Sequence, residues 1–107
     1  MAYSVKHIAQ VIAASNTELV DATIEYLLID SRKIVFPNTS LFFALTGPRR
    51  DGHTYIKEVY ERGVRNFVVS QKIDVALYPN TNFLLVNDVL KALQTLAHII
   101  VASFNIL

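Results

Sequence analysis

Three segments of the chain carry apolar residues at helical spacing. They cover residues 5–12, 56–60 and 89–100. Ser4 is suited to cap the first segment and Asp88 the last, because both side chains can accept a hydrogen bond from the first turn of a helix. In each segment the apolar positions fall on one face. The pattern predicts three amphipathic helices.

Four short runs of mostly apolar residues predict strands: residues 24–29, 41–45, 66–70 and 82–86. Gly63 is placed to end the second helix before the third run. Because strands alternate with helices, the predicted fold class is α/β, a single domain with a mixed, at least partly parallel β-sheet flanked by helices. Runs without polar alternation favour a sheet that is covered on both faces. The pattern does not determine the strand order.

Composition narrows the class of protein. The 107 residues fit one domain, and 52% hydrophobic against 18% charged residues excludes a disordered segment. A net charge of +1 gives no broad field for nucleic acid or for an anionic membrane. No apolar run approaches the ~18 residues that span a bilayer. Without cysteine or a secretory pattern near the N-terminus, we expect a cytoplasmic protein with no membrane insertion.

Residues 98–107 are strongly apolar and end without a polar tail. We interpret this segment as a sign that the chain is a piece of a longer protein. The alternative is a last helix and strand that pack against the core of this domain. Composition does not separate the two interpretations.

Two loops that follow predicted strands carry residues suited to bind an anion, since ligands of open α/β sheets bind beyond the carboxyl ends of strands. The first loop is Asp30-Ser31-Arg32. A serine hydroxyl and a guanidinium could donate hydrogen bonds to a phosphate or a ribose. The alternative is that Asp30 caps a turn and Arg32 pairs with a surface carboxylate.

The second loop covers residues 46–53 (TGPRRDGH) and joins a strand to a helix. Its two glycines allow close approach of a ligand, and its two arginines lie near a helix N-terminus. The alternative is an ordinary solvated loop in which Asp51 or Thr54 caps the helix. We expect His53 to hydrogen-bond to the loop backbone rather than act as a general base. No second histidine, cysteine or acidic cluster has metal-ligand spacing, which argues against a metal site.

Three common nucleotide-binding and catalytic motifs are missing from the sequence. It contains no GxxxxGK[ST] loop for ATP phosphates, no GxSxG elbow and no GxGxxG fingerprint. The residues therefore give catalysis by this chain little direct support.

Taken in order, DSR at 30–32, LFFALTG at 41–47, RRDGHTYI at 49–56 and NFVVS at 66–70 form a larger pattern. With this pattern the chain resembles the N-terminal domain of the Mur ligases, over residues 24–101. Within that family it is most similar to the members that add D-alanyl-D-alanine to a UDP-linked muramoyl tripeptide. The DSR and DGH pieces are the specific part of the resemblance.

The resemblance implies a three-domain ligase that uses ATP and magnesium, with no cofactor in this chain itself. The first domain would hold the UDP of a UDP-N-acetylmuramoyl-peptide, and its other partners would be the missing central and C-terminal domains. By position, the UDP-binding residues would be Ser31, Arg32, Thr46, Gly47, Pro48, Arg49 and Arg50. The residues that shape the loops would be Asp30, Asp51, Gly52 and His53.

The resemblance also implies a domain boundary, with the UDP-binding domain at residues 1–103 and the start of the ATP-binding central domain at 104–107. On this basis the chain is not expected to catalyse ligation alone. One alternative is a stand-alone regulatory or protein-interaction module of the same fold without ligase activity. Another is a small acid–base enzyme that uses Asp30, Asp51 and His53.

Overall fold

A five-stranded parallel sheet forms the centre of the molecule. The computed structural model describes residues 3–15, 19–100 and 105–106, with side chains described as far as residue 98. The strands of the sheet are β3 (Tyr26–Leu28), β4 (Ser40–Phe43), β5 (Asn66–Val69), β6 (Asn82–Leu85) and β7 (Asn105–Ile106). Their order is β6-β5-β4-β3-β7, and each neighbouring pair is parallel. The predicted α/β class is confirmed, and the parallel pairing extends through the whole sheet.

The predicted strand at residues 24–29 is divided in two. Its first part belongs to a separate two-stranded antiparallel sheet of β1 (Tyr3–Ser4) and β2 (Thr23–Ile24). Its second part is β3 of the main sheet. Glu25 lies between them, and its amide donates to the carbonyl of Thr39 at 2.8 Å. The single-strand prediction was wrong because pairing with the N-terminal residues is a long-range contact that a local pattern does not contain.

Three α-helices lie where the pattern predicts them: α1 (Val5–Val11), α2 (Ile56–Glu61) and α3 (Val89–Ile100). The Ser4 hydroxyl accepts the His7 amide at 3.1 Å at the start of α1, and a carboxylate oxygen of Asp88 accepts the Lys91 amide at 3.1 Å in α3. Gly63 follows the end of α2 with φ of +105°, a conformation that disfavours side chains other than glycine. Both predicted caps and the helix stop are confirmed.

The two faces of the sheet bury different sets of side chains, because successive residues of a strand point in opposite directions. Alternate strand residues such as Phe43 and Val68 pack in one core with apolar residues of α1 and α3. The neighbouring residues Phe42, Phe67 and Phe83 pack in a second core with α2. The ring centroids of Phe67 and Phe83 are 5.1 Å apart. Burial on both faces agrees with the continuous apolar runs.

A buried amide pair ties the N-terminal segment to the sheet. Asn66 and Asn82 are opposite each other at the starts of β5 and β6, exposed by 1% and 3%. The Nδ2 group of Asn82 donates to the side-chain oxygen Oδ1 of Asn66 at 2.8 Å. The Asn82 side chain also accepts the Val20 amide at 2.7 Å and donates to the Val20 carbonyl at 2.8 Å. Burial of these polar groups is tolerated because each has a partner.

We expect Asn82→Ala to lower the free energy of unfolding by about 2–3 kcal/mol, because it leaves the buried partners of Asn82 without hydrogen bonds. Asn38→Ala is the matched control, since Asn38 is exposed. Urea denaturation followed by circular dichroism measures both. Equal stability of the two variants would contradict the role given to the amide pair.

Candidate functional site

The two candidate loops meet at the carboxyl edge of the parallel sheet. One loop follows β3 and the other follows β4, and these strands are hydrogen-bonded neighbours. A cavity of about 700 Å³ opens between the loops, a size that suits a small-molecule ligand. Leu90 of α3 and Tyr55 before α2 complete its wall. Parallel pairing is therefore what brings the distant DSR and TGPRR segments together.

Seven of the eleven residues singled out from the sequence line this cavity: Asp30, Ser31, Arg32, Thr46, Gly47, Arg50 and Gly52. Pro48 and Arg49 lie at the tip of their loop, outside the lining. Asp51 and His53 are also outside it and contact the ends of other elements instead. The structure thus separates residues that face the cavity from residues that hold its wall.

Arg32 is paired within its own loop. Its Nε and Nη2 donate to the two carboxylate oxygens of Asp30 at 3.1 and 3.0 Å, and its amide donates to Asp30 at 2.9 Å. These hydrogen bonds from Arg32, the side-chain ones first, lower the pKa of Asp30 to about 2. The turn-capping and ion-pairing contacts of the alternative interpretation are thus present, with Asp30 as the carboxylate. The Nη1 group of Arg32 is not used in this pair.

The loop after β4 is a narrow hairpin. Thr46 and Asp51 form an antiparallel bridge, and the Gly47 amide donates to the Arg50 carbonyl at 2.7 Å. The Gly52 amide then donates to the Leu45 carbonyl at 2.7 Å. A Cβ on Gly52 would lie 2.7 Å from the Leu45 nitrogen, so only glycine fits without a backbone shift. This contact fixes the cavity wall against the end of β4.

His53 links the same loop to β5. Its side chain is exposed by only 4%. Its Nδ1 is 2.6 Å from a carboxylate oxygen of Asp51, and its Nε2 accepts the Ser70 amide at 3.0 Å. A neutral ring with hydrogen on Nδ1 satisfies both contacts. His53 contacts backbone and a carboxylate, and it does not reach the cavity.

Asp51 is the centre of this network. One of its carboxylate oxygens accepts the His53 amide at 3.0 Å, which caps the 3-10 turn at Gly52–Tyr55, and the other accepts Gln71 Nε2 at 3.0 Å. The hydrogen bond from the His53 amide, followed by that from the His53 ring, lowers the pKa of Asp51. A carboxylate held in this way orients its neighbours, and its lowered pKa makes it a weak base.

The lining of the cavity includes two arginines, two acidic residues (Asp30 and Glu58) and an apolar wall. Arg50 makes no ion pair with any acidic group of the described residues, so its guanidinium is available to a ligand. The apolar part includes Phe42, Leu45 and Leu90, the last of which is 51% exposed. Within residues 3–15 and 19–98, no group of three potential metal ligands occurs. The arrangement suits a ligand with an anionic part and a flat or apolar part.

Sequence reasoning missed Tyr55 and Leu90 as site residues. Tyr55 immediately precedes α2 and Leu90 lies in the first turn of α3, and the sequence pattern gave neither of them a role. The signal that could have found them is their place one or two residues after a capping segment at the carboxyl edge of the sheet. Ser70 and Gln71, which bond to His53 and Asp51, were also missed, because the sequence pattern placed Ser70 at the end of a predicted strand and gave Gln71 no role.

Comparison with known proteins confirms the resemblance to Mur ligases. The chain is 32% identical, over 94 residues, to UDP-N-acetylmuramoyl-tripeptide–D-alanyl-D-alanine ligase of Borreliella burgdorferi, with 80% of this chain and 20% of that protein covered. No family model matches the chain. The chain spans about a fifth of the length of this relative.

Solved structures show the same fold. A UDP-N-acetylmuramoylalanyl-D-glutamyl-2,6-diaminopimelate–D-alanyl-D-alanyl ligase from Acinetobacter baumannii aligns with a TM-score of 0.77 at 24% identity, covering 91% of this chain and 21% of that one. A crystal structure of MurF from the same organism gives a TM-score of 0.76 at 24% identity, covering 91% and 20%. The fold of the chain is thus that of one part of these ligases.

We expect Gly52→Ala to lower the free energy of unfolding by about 1–3 kcal/mol, because the added Cβ collides with backbone atoms of Ala44 and Leu45, just after β4. Gly47→Ala is the matched control in the same loop, since the nearest atom to its added Cβ is 3.8 Å away. Thermal and urea unfolding measure both variants. A Gly52 variant as stable as the Gly47 variant would show that the contact does not constrain the wall.

We expect the Asp30 carboxyl to titrate at a pKa of about 2, and Arg32→Gln to move that pKa towards the ordinary 3.8. Because the pKa is lowered in the folded chain, the pair stabilises the fold above pH 3.8 and this contribution is lost as the pH falls through about 2. Carboxyl carbon shifts in an NMR titration measure the change. An unchanged Asp30 titration in Arg32→Gln would refute the pairing in solution.

Proposed function

We propose that the chain is the substrate-anchoring domain of a peptidoglycan-precursor ligase and that it holds the UDP moiety of a UDP-N-acetylmuramoyl-peptide. The observation that supports this most is the convergence of the DSR and TGPRR segments on one cavity. The similarity to a ligase whose name specifies a UDP-linked substrate supports the same ligand.

The cavity offers a suitable group for each part of UDP. Arg50 and the free Nη1 of Arg32 provide positive charge and directed hydrogen bonds for the diphosphate. The hydroxyls of Ser31 and Thr46 can bind ribose or phosphate oxygens. The apolar wall and the Tyr55 ring provide a surface for the flat uracil. Gly47 allows the ligand to approach the backbone, with Pro48 and Arg49 at the rim of the loop.

In the whole protein this domain would contribute binding energy remote from the reaction. Holding the nucleotide end positions the distant carboxylate that reacts with D-alanyl-D-alanine, which lowers the entropic part of the barrier. ATP and magnesium would act on other domains, and ligation by this chain alone is not expected. The family resemblance is the reason that we place the protein in the cytoplasm. As a separate observation, none of the helices in the described part of the chain could span a bilayer.

The direct test is an NMR titration of the chain with UDP. We expect a Kd of roughly 0.1–1 mM, because few groups engage the ligand and ordering costs remain. Arg50→Ala should weaken binding about tenfold or more, since it removes a charge-assisted contact with the diphosphate. Shifted amides should cluster in residues 29–32 and 45–52.

Lys57→Ala is the control for this titration. Lys57 is exposed on α2 and makes no ion pair with a described residue, so removal of its charge should leave the Kd unchanged within about twofold. Uridine serves as a second probe and should bind more weakly than UDP. The proposal fails if millimolar UDP shifts no cavity residue, or if Arg50→Ala and Lys57→Ala behave alike.

A further inference from the structure

The ring of His53 is a buried titratable group that the proposed binding of UDP does not use. Its Nδ1 is 2.6 Å from a carboxylate oxygen of Asp51, in the hairpin of residues 46–51, and its Nε2 accepts the Ser70 amide at 3.0 Å, directly after β5. The ring therefore bridges two segments of the sheet edge. Because a backbone amide can only donate, the contact with Ser70 exists only while Nε2 carries no proton.

Uptake of a proton by this ring would affect its two contacts in opposite ways. The Nδ1–H group keeps its carboxylate acceptor, and the positive charge strengthens that hydrogen bond. The new Nε2–H group faces the amide of Ser70, so that two donors meet and the hydrogen bond is lost. Histidine is the side chain that ordinarily gains its charge between about pH 8 and pH 5. The charged ring would thus stay with the hairpin and part from β5.

The groups around the ring make His53 the titrating member of this network. Asp51 contacts it directly, and the hydrogen bond from the His53 amide, followed by that from the ring, lowers the pKa of Asp51, so this carboxylate stays ionised from pH 5 to 8. Gln71 also links Asp51 to the end of β5, but this amide does not titrate and its hydrogen bond is exposed to solvent. Asp88, before α3, borders a small cavity together with Ser70, and its carboxylate is engaged at the start of its own helix.

The hairpin that the ring holds also carries part of the lining of the candidate site, namely Thr46, Gly47 and Arg50. We propose that His53 is a positioning residue that acts as a proton-sensitive latch: the neutral ring holds the hairpin to the end of β5, and the protonated ring releases it and weakens nucleotide binding. The effect on binding rests on the proposed function, whereas the latch itself does not. Because such coupling is reciprocal, bound UDP would oppose protonation of His53.

The latch is tested first on the 107-residue chain without ligand. Nitrogen-15 NMR spectra of the imidazole ring identify which nitrogen carries hydrogen and when the ring becomes charged. We expect hydrogen on Nδ1 at about pH 8, and we expect the Ser70 amide to shift and to exchange faster with solvent in step with the charging of the ring. Hydrogen on Nε2 at pH 8, a Ser70 amide unmoved by a charged ring, or a ring neutral until the chain unfolds would each overturn the latch.

The effect on binding is measured as the ratio of the UDP affinity at about pH 8 to that at about pH 5.5. The terminal phosphate of UDP also titrates in this range, so the ratio is compared with that of His53→Gln, in which the ligand titrates in the same way. A glutamine oxygen can accept the Ser70 amide and takes up no proton. We expect the wild-type ratio to exceed that of His53→Gln by about five- to tenfold, which corresponds to one hydrogen bond.

His53→Leu separates the hydrogen bond from the protonation. It cannot accept the Ser70 amide, so we expect weak UDP binding at both pH values, and His53→Gln should restore the binding at pH 8. His7→Gln is the matched control, because His7 is an exposed histidine of α1, and it should keep the wild-type ratio. Thermal unfolding at both pH values checks that the variants fold.

The outcomes distinguish the latch from the proposed function. If UDP binds but the wild-type ratio equals that of His53→Gln, the coupling of His53 to binding is refuted and the proposed function stands. If His7→Gln lowers the ratio as His53→Gln does, the assignment to His53 is wrong. If UDP binds at neither pH, the proposed function fails, and the spectra of the chain without ligand still decide whether His53 is a latch.

Discussion

The hydrogen bonds of His53 connect two segments at the carboxyl edge of the sheet, and the candidate site depends on their relative position. The ring joins the carboxylate of Asp51 to the amide of Ser70, and so joins the hairpin after β4 to the end of β5. With Gly52 packed on the backbone of Ala44 and Leu45, just after β4, these contacts hold a polar loop in one place. Thr46 of this hairpin forms part of the cavity wall. The His53 side chain, only 4% exposed, thus supports the cavity wall without lining the cavity.

Much of the fold could be predicted because its determinants are local. Ser4 and Asp88 cap their helices through contacts three residues away, and the φ of Gly63 is a property of the turn itself. Long-range pairing was not predictable in the same way. The split of residues 24–29 depends on Tyr3–Ser4, and the buried role of Asn82 depends on Val20. A side chain whose partner is 62 positions away leaves no local pattern.

The candidate site was predicted as a set of loops and was only partly predictable as a set of side chains. Its loops follow from the rule that parallel strands end at one edge. Which residues face inward depends on the hairpin register, set by the Thr46–Asp51 bridge, which turns Arg50 into the cavity and leaves Arg49 outside. Single arginines in a loop have no periodicity from which this could be derived. Leu90 could not be predicted as a site residue, because its place in the cavity wall depends on how α3 packs beside the sheet.

The two arginines at the carboxyl edge of the sheet differ in how they are held, and this affects how each can bind an anion. Arg32 is already oriented by Asp30 and retains its Nη1 group, so it loses less side-chain entropy than Arg50 when an anion binds. The hairpin is likewise ordered before the ligand arrives. Weak binding by the isolated chain would then reflect the small number of contacts rather than the cost of arranging the loops. Additional affinity would have to come from groups that cover the exposed side of the cavity.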